Sequence, residues 1–212
     1  MRKEAWRFLI GDRYGLTPDI FESSTTISRE KYTEYLDERS LGGRDHPAQS
    51  PFQVIEADVP RTFGSSRLFQ AECPLHESLT TLLQRYTAFS PDLGYVQGMS
   101  YPAALLTLHL EEYDAFTCFV SLLEDTFLRS LYSMNLKLIV VHLQVYDLLF
   151  ENELPALFAH FKNEQVAPDQ YLLGWLMTLF GKTVPLGVAC RIMDNFAVEG
   201  EIFLYVTSLA IL

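Results

Sequence analysis

The sequence predicts an all-α fold. Apolar residues recur at helical spacing, and no run of β-branched residues alternates strictly with polar ones. The 212 residues are 49% hydrophobic and include 11 Tyr and 15 Phe. That supplies ample surface for an ordered interior, so the chain reads as globular rather than disordered. No internal repeat is visible.

Taken in order, the first element is a helical pattern through Trp6, Phe8, Leu9 and Ile10, with Gly11 as its C-cap. Ser28 reads as the N-cap of a second helix running to about Arg39, after which Gly42, Gly43, Pro47 and Pro51 predict a loop. The clearest amphipathic face is Leu75, Leu79, Leu82, Leu83 and Tyr86, at i, i+4, i+7, i+8 and i+11. Ser90-Pro91-Asp92 ends that helix. Gly94 and Gly98 bracket a turn carrying Gln97, and a helix resumes through Leu110. Further helices are predicted near 114–124, 134–151, 154–162, 168–181, 187–197 and 201–212. Both ends fall inside helical patterns, which reads as truncation at both ends.

Charge and composition exclude several function classes. A net charge of −11 and a pI near 4.8 leave no electrostatic footprint for nucleic acid and no attraction to anionic lipid. The partner expected from this balance is another protein. Apolar runs such as 101–110 and 171–180 are about half the ~20 residues a membrane-spanning helix needs. Cys73, Cys118 and Cys190 are scattered and odd in number, which suits buried thiols in a reducing, cytoplasmic compartment. Gly181-Lys182-Thr183 imitates the end of a phosphate-binding loop, but Leu176 stands where that motif needs glycine. Cys73 and His76 have a metal-like gap without a second pair, so no metal site is expected.

Two short islands carry the chemistry. The first is Ile55-x-x-Asp58-x-x-Arg61-Thr62, with Arg61 beside a proline-marked turn. The second is Tyr95-x-Gln97-Gly98-Met99, with its glutamine between two glycines. Arginine and glutamine are the side chains that phosphoryl-transfer sites use to neutralise equatorial charge and to orient a water. Neither is a nucleophile or a base. The pair therefore points to a chain that completes another protein's active site.

In this order and spacing the islands resemble the TBC-domain GTPase-activating proteins for Rab GTPases. Arg2 and Trp6 are similar to that family's opening Arg-x-x-x-Trp segment. Trp175 with Thr178-Leu179-Phe180, and Arg191-Ile192-Met193-Asp194 followed by Glu199-Gly200, are similar to its C-terminal landmarks. Met193 departs from the pattern, standing where Trp usually precedes the Asp. The resemblance covers essentially the whole chain.

It implies a two-lobed, multi-helix Rab-GAP TBC domain over 1–212, with a lobe of about 1–112 carrying both islands and an incomplete lobe of about 113–212. Further helices would normally cover an apolar face of that second lobe. The resemblance also implies an enzyme activator rather than an enzyme. Arg61 would act as an arginine finger and Gln97 as a glutamine finger, in trans, on a Rab-family GTPase in its GTP state. By the same analogy Asp58 fixes the guanidinium or its loop, Tyr95 packs and positions the glutamine turn, and Gly98 lets the backbone approach the partner. Thr62 reads as a cap and Ile55 as an interior anchor. GTP and Mg²⁺ would belong to the partner, so no cofactor is expected on this chain. The setting implied is vesicle trafficking, with peripheral recruitment to endomembranes and no direct membrane insertion. The alternative is a non-catalytic Rab-binding or scaffold module, from which possession of both finger residues discriminates.

Overall fold

The structure, a computed structural model, describes residues 1–40 and 50–212. Every regular element among them is helical: twelve α-helices and three short 3₁₀ turns. The predicted loop residues Gly42, Gly43 and Pro47 lie outside the described residues. The chain forms two compact units, Met1–Leu122 and Leu123–Leu212.

The N-terminal unit holds α1 (Arg2–Leu9), α2 (Pro18–Ser40), α3 (Pro51–Asp58), α4 (Pro74–Phe89), α5 (Ser100–His109) and α6 (Glu112–Leu123). Helix α4 buries four of the five residues of the face expected of it, with Leu79, Leu82, Leu83 and Tyr86 each at most 2% exposed and Leu75, in its first turn, only partly covered. At roughly 1.5–3 kcal/mol for each large apolar side chain removed from water, this stripe is a main anchor of the unit. Helix α6 packs within this unit up to Leu122. The reason is aromatic: Phe116 meets Phe21 and Phe89 edge-on, and Phe119 meets Tyr86. The buried Arg85 ties α4 to its neighbours. Its Nε donates to Thr25 Oγ1 at 2.7 Å, its Nη2 pairs with Glu112, and its guanidinium lies over the Phe21 ring. A cation this buried is stable only when paired and hydrogen-bonded.

Two local expectations are corrected. Ser28 is no cap: it sits buried inside α2, which starts ten residues earlier at Pro18. Proline at the start of a helix loses no hydrogen bond, and the main-chain N–H of Ile20 bonds back to Thr17. The run Ser23-Ser24-Thr25-Thr26 resembles loop composition, but Ser24 and Thr25 donate to Phe21 O and Thr26 donates to Glu22 O inside the helix. Likewise Pro51 opens α3 instead of continuing a loop.

The C-terminal unit holds α7 (Thr126–Tyr132), α8 (Leu136–Glu153), α9 (Pro155–Asn163), α10 (Leu172–Met177), α11 (Leu186–Glu199) and α12 (Glu201–Ile211). Tyr146 lies at its centre, in ring contact with Phe150, Tyr171 and Tyr205. The predicted segment 168–181 divides into a 3₁₀ turn, Pro168–Gln170, and α10. It closes on left-handed Leu179 and Phe180, both fully buried. Exposed apolar residues on the outward side include Val141, Val145 and Leu148 of α8 and Ile202 and Val206 of α12. No described helix is long and apolar enough to cross a membrane.

Candidate functional site

The first island is built from the end of α3. Ile55 is fully buried and fixes that helix in the core, while Asp58 closes it. Pro60 then tightens the chain into the 3₁₀ turn Val59–Arg61. Residues three apart on a helical path lie side by side, so Arg61 returns over Asp58 and its Nη2 bonds Oδ1. The burial of the two partners is unequal: the Asp58 side chain is 3% exposed and that of Arg61 is 57% exposed. A buried carboxylate thus anchors one edge of a guanidinium whose remainder faces outward.

The second island depends on its glycines. Gly94 has φ +63° and Gly98 φ +106°, conformations in which a side chain is strained. They confine Tyr95, Val96 and Gln97 to a tight excursion between Ser90 and α5. The Met99 N–H donates to Val96 O at 3.1 Å, and Gly94 donates to Ser90 O at 2.8 Å. Gln97 is exposed at the crest, while Gly98, Met99 and Ser100 behind it are buried.

Three contacts then hold the islands together in register. The Tyr95 hydroxyl donates to Asp58 Oδ2 at 2.7 Å. Thr62 Oγ1 and Ser100 Oγ are hydrogen-bonded at 2.7 Å, and Thr62 also donates to the Asp58 main-chain oxygen at 2.8 Å. Phe63 meets the Tyr101 ring edge-on, with centroids 5.2 Å apart. Phe63 is itself left-handed, with φ +46°. A buried non-glycine residue held there carries roughly 1–3 kcal/mol of strain, which persists only when the surroundings over-determine it. The Tyr101 contact is part of that constraint.

Every site residue expected from the sequence therefore falls in the N-terminal unit. Asp58, Arg61, Thr62 and Tyr95 are joined directly by hydrogen bonds. Gln97 is carried on the chain between Tyr95 and Ser100, both of which bond the arginine segment. Sequence reasoning missed Ser100 and Tyr101. Their only signal was position, immediately after the glutamine motif at the start of α5. Burial, the largest cause, pushes the Tyr101 phenol above its ordinary value against the opposing pull of the Arg61 cation, with Asp58 adding to the rise. The hydroxyl thus stays protonated, a donor, at neutral pH. Among the described residues no cluster of His, Cys, Asp or Glu is arranged to hold a metal.

The chain as a whole is similar to known proteins. The family described as RabGAP-TBC, Rab-GTPase-TBC domain, matches residues 1–212. TBC1 domain family member 12 of Xenopus tropicalis is 35% identical to the whole of this chain, which covers 32% of that protein. TBC1 domain family member 14 of Homo sapiens is likewise 35% identical, with 32% covered. Drainin of Dictyostelium discoideum is 30% identical, with 57% covered. The chain thus spans about a third of the length of the first two relatives. The crystal structure of the Chlamydomonas flagellar RabGAP TBC domain superposes with a TM-score of 0.72, over 99% of this chain and 65% of that one. At 21% identity it bears on the fold alone.

Proposed function

The chain belongs to the Rab-GTPase-TBC domain family, and on that footing we propose that it accelerates GTP hydrolysis on a Rab-family small GTPase in its GTP state. In this reading Arg61 and Gln97 are supplied in trans. Arg61 meets the charge that develops on the transferring phosphoryl group and the leaving oxygen, and Gln97 holds the attacking water in line. An arginine supplied this way is worth roughly 10³–10⁵ in rate.

The observation that carries the proposal is the shared frame of the two residues. Arg61 is anchored through Asp58, and Asp58 is held by Tyr95 of the glutamine turn. Side chains that must act on one phosphoryl group need fixed relative positions, because small misplacements forfeit much of the acceleration. Asp58 is in this account a positioning residue. It holds one edge of the guanidinium and leaves the other N–H groups for the partner. The buried Thr62–Ser100 pair fixes the main chain on the other side of both functional residues. Nucleotide and Mg²⁺ are contributed by the partner, and the biological setting is the regulation of vesicle trafficking.

The test is GTP hydrolysis across a panel of GTP-loaded Rab proteins with and without the chain. Stimulation of one or a few members is expected. GTP-dependent binding without stimulation would favour the scaffold reading instead.

A further inference from the structure

Tyr101 lies beside the arginine segment without belonging to either sequence island. Its ring is pinned against Phe63, two residues after Arg61, and its neighbour Ser100 is hydrogen-bonded to Thr62. The residue is half-buried, and its hydroxyl makes no hydrogen bond among the described residues. Of the charged groups nearest it, Arg61 has only donors, and the Asp58 oxygens accept from Arg61 and Tyr95 rather than from Tyr101. In the free protein that hydroxyl is served by water. A partner closing over Arg61 removes the water, and a donor left without an acceptor in such a place is costly. A surface that docks here and buries the hydroxyl gains by bringing an acceptor oxygen to Tyr101.

We infer that Tyr101 is a further contact residue of the site, its hydroxyl donating to an oxygen that the partner GTPase presents beside Arg61. That oxygen is either a phosphoryl oxygen of the reacting nucleotide or a carbonyl or carboxylate oxygen of the GTPase surface. The chemistry is the same in both cases: a neutral O–H donor set next to a guanidinium, completing a cluster that receives negative charge. The inference rests on the GTPase-activator reading.

The experiment compares wild type, Arg61→Ala, Tyr101→Phe and Tyr101→Ala against the Rab that wild type stimulates. Binding is measured with that Rab carrying a non-hydrolysable GTP analogue, and separately GDP with aluminium fluoride. Stimulation by wild type that Arg61→Ala abolishes establishes the underlying reading independently of Tyr101. Tyr101→Phe keeps the ring on Phe63 and removes only the hydroxyl, so thermal unfolding close to wild type is expected. Its affinity should fall about tenfold or more in at least one nucleotide state, the loss expected for a hydrogen bond to a charged or desolvated acceptor. A loss confined to the aluminium fluoride state assigns the acceptor to the phosphoryl group, and an equal loss in both states assigns it to the GTPase surface. Tyr101→Phe indistinguishable from wild type in both states, with Tyr101→Ala impaired, would reduce Tyr101 to ring packing and overturn the inference. Failure of wild type to bind or stimulate any Rab would overturn both readings together.

Discussion

The Tyr95 hydroxyl donates to Asp58 Oδ2 at 2.7 Å while Arg61 occupies Oδ1. One buried carboxylate therefore joins the glutamine turn to the arginine turn across 37 residues of sequence. Removing Tyr95's oxygen leaves that carboxylate one donor short in a site with little access to water. Tyr95→Phe should destabilise the protein by about 1.5–3 kcal/mol, the range for a hydrogen bond to a charged group. Urea unfolding of Tyr95→Phe, Asp58→Asn and the double variant checks it. The two changes should couple by about 0.5 kcal/mol or more, and strict additivity would contradict a direct bond.

The Thr62–Ser100 bond makes a parallel prediction. Both residues are 1% exposed, so Thr62→Val strands the Ser100 hydroxyl where water cannot reach it, and Ser100→Ala removes the donor to Thr62 Oγ1, which keeps its own bond to the Asp58 main-chain oxygen. Each single variant should lose about 1–3 kcal/mol. The double variant, with neither hydroxyl left unpaired by the other's loss, should lose less than the sum of the two. Equilibrium denaturation of all four proteins measures this.

How far the sequence disclosed these relationships varied with the physics involved. The amphipathic face of α4 was legible because five apolar residues at helical spacing leave one orientation. The α2 start was not. Its Ser and Thr residues imitate loop composition, and only the completed helix shows their hydroxyls turned back on its own carbonyls. Helix α7 spans seven residues, Thr126–Tyr132, too few for a period to declare itself, and it went unpredicted. At the site, the two islands and their residue types were visible as motifs. The Thr62–Ser100 and Phe63–Tyr101 contacts were not, because each joins residues 38 apart and no local spacing encodes such a pairing.

Gln97 separates function from stability. It is exposed on a turn whose conformation belongs to its glycines. Gln97→Ala should therefore stay within about 0.5 kcal/mol of wild type in unfolding. Stimulated hydrolysis should fall about 10²-fold, the scale of losing one preorganised hydrogen-bonding group. Thermal denaturation and single-turnover rates on the same preparations read the two effects. Full stimulation by the variant would remove the water-orienting role.

In the C-terminal unit, stability should depend on pH through His142. Ser130 Oγ donates to Phe127 O at 2.7 Å and lies 2.9 Å from His142 Nε2, so that nitrogen carries the proton. His142 Nδ1 then accepts from the Tyr205 hydroxyl at 2.9 Å. Burial holds the imidazole below its ordinary value of 6.5, opposed by the Glu201 charge. With the folded value below the unfolded one, the unfolded chain takes up the proton first as pH falls. The stability contribution is present above about 6.5 and is lost as pH drops below it. His142→Gln, neutral throughout, should show a smaller loss between about pH 7 and 5 in urea titrations than wild type. Identical pH profiles would contradict the assignment.

The most direct measurement is single-turnover GTP hydrolysis by a responsive Rab with wild type, Arg61→Lys and Arg61→Ala side by side, each shown to be folded. Arg61→Lys keeps a cation near Asp58 but lacks the planar fork that holds the carboxylate and faces the phosphoryl group at once. Wild type should stimulate strongly, and Arg61→Ala should lose about 10³-fold or more of that stimulation. Arg61→Lys should remain far below wild type, with GTP-state binding retained in both variants. Undiminished stimulation by folded Arg61→Ala would contradict an arginine finger at this position.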